Sequence, residues 1–140
     1  MIENYAQAIT QANQLNKTAV FDALASAGIT ELAVTFDGWG DSGQLQGLEA
    51  HVGSTVTDIP SVNVVIHEYY CGVVQPLTEV VRTLIEAVEE LCYGYLNERH
   101  CGWEIDDGSF GDFSFDVANR TIRLEYNGRI TEVITELEEF

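Results

Sequence analysis

Positive charge is scarce in this chain: of its 140 residues only six are Lys or Arg, against 23 Asp and Glu, and the formal net charge is −17. Lys17 is the only lysine. A surface this negative repels phosphate backbones and anionic lipid. The composition therefore disfavours nucleic acid and membranes as direct partners and favours a protein with a basic surface.

Cysteine and long apolar runs are also in short supply. The three cysteines, Cys71, Cys92 and Cys101, are an odd number in a chain too long to depend on disulfides. No run approaches the ~18 apolar residues of a membrane span. Residues 1–5 lack the basic and apolar regions of a signal peptide. We therefore expect a cytoplasmic protein with free thiols.

What the chain does contain is typical of a folded domain. Hydrophobic residues make up 46% and aromatic residues 10%, and there are two prolines. These proportions exclude a disordered chain despite the charge. The length suits one hydrophobic core, and no linker or repeat divides the sequence, so we predict a single domain over residues 1–140.

The hydrophobic pattern predicts the elements of the first half. Apolar residues recur at helical spacing from Ile2 to Ala27, Gly28 is typical of a helix end, and Asn16 is a candidate break. Alternation over 32–36 predicts a strand, and a glycine-rich loop over 38–43 follows it. Further strands are predicted over 44–51 and over 62–70, where β-branched and aromatic residues dominate.

The second half begins with a predicted amphipathic helix from Pro76 to Leu96, whose two sides carry apolar residues and glutamates. Strands over 110–117, 120–126 and 129–137 follow, with Asn127-Gly128 as a hairpin turn. The order α-β-β-β-α-β-β-β predicts an α+β fold, in which two helices pack on one face of an antiparallel sheet. The helical residues expected to meet that sheet are Leu84, Ile85, Val88 and Leu91.

Three motifs resemble an uncharacterised bacterial family. They are residues 16–24 (NKTAVFDAL), residues 36–44 (FDGWGDSGQ) and residues 102–116 (GWEIDDGSFGDFSFD). The resemblance covers Asn16 to Phe140, and the family is a domain of unknown function of similar length, seen on plasmids, integrated elements and phages. It implies a bacterial or mobile-element origin, and it carries over no catalytic residues.

Two segments rich in Asp and Gly are a candidate site for calcium or magnesium, because carboxylate clusters hold such cations. Neither segment has the spacing of an EF-hand loop, and Asp, Ser and Gly are the residues that build tight turns. We interpret both segments as turns and predict no metal or cofactor. The acidic residues concerned are Asp37, Asp41, Asp106, Asp107 and Asp112.

The cysteines, together with His67 and His100, are a second candidate, for zinc or for a nucleophilic Cys101. Structural zinc ligands come in close pairs, and here only His100 and Cys101 are neighbours. Cys92 lies on the apolar stripe of its predicted helix. We interpret it as a small buried hydrophobe.

Acidic side chains recur at spacings that place several of them on one face. Glu86, Glu89 and Glu90 share the polar side of the second helix. Asp112 and Asp116 alternate with phenylalanines along a strand. Trp39 lies between two glycines in a predicted loop, and an exposed tryptophan is a frequent anchor at protein interfaces. The predicted partner-binding residues are Trp39, Asp41, Glu86, Glu89, Glu90, Asp106, Asp107, Asp112, Asp116, Glu132 and Glu136.

The charge decides between a solvated surface and a binding surface, because −17 exceeds the magnitude of about 2 to 8 that serves solubility in a small domain. We expect a small, non-enzymatic inhibitor that occupies the basic, nucleic-acid-binding surface of another protein, of the DNA-mimic, anti-restriction or anti-CRISPR type. The alternatives are a metal-assisted or thiol enzyme and a regulatory subunit of a plasmid-borne or phage-borne system.

Overall fold

The computed structural model of the protein describes residues 2–39, 42–69, 77–99 and 108–128. The two helices are α1 (Ile2–Ser26) and α2 (Leu84–Arg99). All strand pairings in the two sheets are antiparallel, which confirms the predicted α+β class. The strands are β1 (Glu31–Trp39), β2 (Ser42–Val52), β3 (Thr55–Thr57), β4 (Asn63–Tyr69), β5 (Leu77–Thr83), β6 (Ser109–Asp116) and β7 (Thr121–Gly128).

The strands form one sheet of five strands, in the order β3-β2-β1-β6-β7, and one of two strands, β4-β5. Alternation along β1 and β6 gives the larger sheet a buried face, on which Val34, Phe36, Phe113 and Phe115 are at most 2% exposed. These residues join the side chains of both helices in one core.

Both helices lie on this buried face, as predicted. The Phe21 ring of α1 lies 5.8 Å from the Phe115 ring of β6, measured between centroids. On α2, the Tyr93 hydroxyl accepts a 3.0 Å hydrogen bond from the backbone N–H of Leu45 in β2. The helices also approach each other closely, since a Cβ at Gly94 of α2 would collide with the Asn13 side chain of α1.

The start of the second helix was predicted too early. Residues 77–83 are the strand β5, and α2 begins at Leu84. Valines and threonines favour the strand, and pairing with β4 places Val80 opposite the buried Ile66. Ile85 was also misassigned, because it is 41% exposed while Leu84, Val88 and Leu91 are fully buried.

The predicted hairpin turn at Asn127-Gly128 is wrong. Both residues belong to β7 and lie opposite Phe110 and Ser109 of β6. The turn between these strands spans residues 117–120, where Arg120 adopts a positive φ of 52°. The strand predicted over 129–137 lies outside the described residues.

Two smaller differences concern the first half. Helix α1 runs through Asn16 without a break and ends as predicted, with Gly28 at φ 76° and a 3.0 Å hydrogen bond from Ile29 N–H to Leu24 O. Most of the predicted glycine-rich loop is a strand, since Gly38 pairs with Gly43 and Trp39 with Ser42. The structure adds β3 and β5, so five strands rather than three separate the helices.

Candidate functional site

The second face of the five-stranded sheet, here called the open face, has neither of the two described helices packed on it. Its side chains are exposed or half-buried in every described strand, in contrast to the buried phenylalanines between them. By the register of the ladders, the open face carries Glu31, Ala33, Thr35, Asp37, Glu49, His51, Phe110, Asp112, Ser114, Asp116, Thr121, Arg123 and Glu125.

Carboxylates lie directly opposite each other on this face. Glu31 of β1 is the register partner of Asp116 of β6, and Asp112 of β6 is the partner of Glu125 of β7. Side chains in such positions have Cβ atoms about 4.5 to 5.5 Å apart, and like charges there destabilise a sheet. Arg123 is the one Lys or Arg on the open face of the described strands.

The described residues include no ion pair from Lys or Arg to Glu31, Asp112 or Glu125. On the same face, Nε2 of His51 lies 3.7 Å from a carboxylate oxygen of Glu49. Within the described part of the chain, the negative charge of these three carboxylates is therefore not neutralised by an ion pair.

Asp116 has a second, structural role. Its carboxylate accepts a 2.8 Å hydrogen bond from the Asn119 side chain and a 3.2 Å bond from the Asn119 backbone N–H. These bonds lower the pKa of Asp116 and keep it ionised. Turn formation alone accounts for this residue, so it is a weaker binding candidate than Asp112.

Phe110 is an apolar side chain in this acidic surrounding, and it was not among the predicted site residues. It is the second residue of β6, is 44% exposed, and lies opposite Asp37 of β1 and Asn127 of β7. Its position two residues before Asp112 on an alternating strand was the available signal, because residues i and i+2 share a face.

The three predicted glutamates of α2 lie elsewhere, because α2 covers the buried face of the sheet. Glu86 caps the helix: its carboxylate accepts hydrogen bonds from the N–H and hydroxyl of Thr83 at 3.1 and 3.0 Å, and the Thr83 hydroxyl accepts one from Glu86 N–H. The backbone bond, followed by the side-chain bond, lowers the pKa of Glu86. Glu89 is half-buried.

Glu90 belongs to an ion cluster that joins α2 to the small sheet. Arg82 of β5 contacts Glu90 at 3.3 Å and Glu68 of β4 at 2.6 Å. Burial, followed by repulsion from Glu68, raises the pKa of Glu90. Glu86 and Glu90 thus have structural roles, and the predicted acidic surface is two separate regions rather than one.

A family comparison covers most of the chain. Residues 12–140 match the model of a family of unknown function, DUF6878. The chain belongs to this family. This match confirms that the chain resembles an uncharacterised domain, as the motifs indicated. No curated protein and no solved structure matches the chain.

Several predicted site residues, although within the family match, lie outside the described residues. They are Asp41, Asp106, Asp107, Glu132 and Glu136, together with His100, Cys71 and Cys101. Trp39 ends β1 opposite Ser42, and its side chain lies outside the described atoms.

In the described part of the chain, no group of three or more His, Cys, Asp or Glu side chains is placed to hold a metal ion. Cys92 is fully buried in the core, as predicted, and burial raises the pKa of its thiol. A nucleophilic cysteine needs the opposite shift. Among the described helices, none is long and apolar enough to cross a membrane.

Proposed function

We propose that this protein binds a basic surface of another protein through the open face of its five-stranded sheet. The observation that carries the proposal is the pairing of the like charges Asp112 and Glu125, beside Glu31 and Asp116, on a face that no other described element covers. Such pairs cost stability in the free protein. Local arrangements that cost stability without an internal benefit are expected at functional sites.

A partner rich in Arg and Lys would relieve that repulsion on binding. Electrostatic attraction between the two surfaces would speed their encounter at low salt and fade as the Debye length falls to about 8 Å at physiological ionic strength. Phe110 supplies apolar contact area within the charged field, and aromatic side chains commonly anchor protein interfaces.

The partner surface that we propose is one that binds nucleic acid. Acids on neighbouring strands are separated by about 5 Å, and same-face neighbours along a strand by about 6.6 to 6.8 Å. A nucleic-acid backbone likewise presents a regular series of closely spaced negative charges. An inhibitor of this type suits the bacterial or mobile-element origin that the motifs imply, and it would act in the cytoplasm.

The experiment compares two charge-matched variants. The immobilised protein is used to capture its partner from a bacterial lysate at low and moderate salt, and the affinity of the purified pair is then measured. Asp112→Asn with Glu125→Gln should weaken binding about fivefold to tenfold, mainly through the association rate. Asp58→Asn with Glu89→Gln makes the same change in net charge away from the open face and should have a much smaller effect. Equal losses in the two variants would contradict the proposed site.

A competition experiment tests the nucleic-acid mimicry separately. Duplex DNA or RNA that the captured partner binds should displace the protein, and the protein should displace the nucleic acid. If both bind the partner together without weakening each other, the open face is an interface but the protein is not a mimic.

A further inference from the structure

The small sheet β4-β5 carries a concentration of exposed apolar side chains. Eight large hydrophobic residues are exposed in the described chain, and four of them lie in this sheet or at its end. We call these four the apolar strip: Val62, Val65, Val81 and Ile85, which are 42%, 50%, 58% and 41% exposed.

The centre of the strip is a cross-strand pair. Val65 of β4 lies directly opposite Val81 of β5. The neighbouring positions on the strands, Val64 and Ile66, are buried in the core. The small sheet therefore has one face in the core and one face, with two half-exposed valines at its middle, that no described element covers.

At His67, the edge of β4 is already bonded to α1. The side chain of Asn16 in α1 accepts a 2.7 Å hydrogen bond from the backbone N–H of His67 and donates a 3.0 Å bond to its carbonyl oxygen. Asn16 thus satisfies the backbone groups of His67 that a docking strand would use at this position. We therefore consider a partner that approaches the apolar strip through its face.

Carboxylates lie beyond both ends of the valine pair. At one end, Glu79 is 74% exposed, and its Oε1 lies 3.7 Å from Nε2 of His67, its register partner. At the other end, Glu86 is exposed in the first turn of α2, next to Ile85. An occupant that matches this arrangement presents apolar side chains between positively charged ones.

We infer that the apolar strip docks a segment of another protein in which apolar residues are flanked by Lys or Arg. A second copy of this chain fits poorly, because each copy carries a charge of −17 and would bring its own Glu79 and Glu86 to the contact. The segment 129–140 fits poorly for the same reason, since it contains four glutamates and one arginine. This inference does not depend on the proposed function of the open face.

The test uses two peptides and methyl-labelled protein. One peptide is a short amphipathic helix of leucine and lysine, and the other is an oligolysine with the same number of lysines. The leucine-lysine peptide should shift the methyl signals of Val65, Val81 and Ile85, whereas oligolysine should leave them in place. The double substitution Val65→Thr with Val81→Thr should weaken binding of the leucine-lysine peptide about tenfold, because threonine offers less apolar contact area than valine.

The control substitutes two other exposed valines, Val52→Thr and Val56→Thr, and should leave the affinity within about twofold. The inference is wrong if the leucine-lysine peptide shifts only methyl signals of residues on the open face. It is also wrong if the Val65/Val81 variant and the Val52/Val56 variant weaken peptide binding equally. It is also wrong if sedimentation shows a dimer of the free protein that the Val65 and Val81 substitutions dissociate. The methyl shifts decide the question even if the first variant does not fold.

Discussion

The two faces of the five-stranded sheet come from the same strands and differ in almost every property. On β6, Phe113 and Phe115 are at most 1% exposed, while Asp112, Ser114 and Asp116 between and beside them face solvent or are half-buried. The buried face contributes the apolar area that stabilises the fold. The open face contributes repulsion between opposed carboxylates.

This difference separates stability from function within single strands. Substitutions on the buried face act on the folding equilibrium, so they cannot report on binding without also perturbing the fold. Substitutions on the open face perturb the fold much less, because these side chains are exposed or half-buried. The comparison can therefore be tested residue by residue along β6 and along the helix that covers its buried side.

The largest effect is expected from a charge placed beneath α2. Val88→Asp should unfold the domain at neutral pH, because an unpaired buried charge costs several kcal/mol against a total stability of about 5 to 15 kcal/mol. Circular dichroism during thermal unfolding measures this directly. Ile85→Asp is the matched control one turn earlier: that site is 41% exposed and lies at a helix N-terminus, which favours an acid. An unchanged melting temperature for Val88→Asp would show that α2 does not seal the core.

Adjacent residues on β6 give the next largest contrast. Phe113→Ala should lower the free energy of unfolding by about 3 to 5 kcal/mol, because it removes a fully buried aromatic side chain and leaves a cavity. Ser114→Ala, one residue further on and exposed on the open face, should change it by less than about 0.5 kcal/mol. Urea unfolding curves measure both. Similar losses for the two substitutions would contradict the assignment of the faces.

The parts of the fold that could be predicted from sequence are those set by local periodicity. The alternation of Asp112 to Phe115 and the Gly28 helix end needed no knowledge of distant residues. The boundary between β5 and α2 could not be predicted in this way, because residues 77–83 fit an apolar helix stripe and only their pairing with β4 makes them a strand. A capping signal was nevertheless present, since Thr83 and Glu86 have the spacing of a capping box.

The candidate site was predictable only in part, for a related reason. The sequence showed which side of β6 carries acids, but Glu31, Glu49 and Glu125 join Asp112 and Asp116 only through the strand order and register. The same topology separates the glutamates of α2 from this face. Charge and alternation are local properties, whereas a surface is assembled by contacts between distant parts of the chain.

The smallest expected effect has the opposite sign from the others. Asp112→Asn with Glu125→Gln removes one pair of opposed carboxylates without changing the shape of the side chains. It should raise the free energy of unfolding by about 0.2 to 1 kcal/mol at low salt, and the gain should shrink as salt screens the repulsion in the unsubstituted protein. The single control Asp58→Asn, at an exposed acid outside the strands, should show little gain and little dependence on salt. A stability loss in the double variant would mean that Asp112 and Glu125 stabilise the free fold. We expect the same two substitutions to stabilise the free protein and to weaken its complex. Opposite effects of this kind are expected when a binding surface is maintained at a cost to stability.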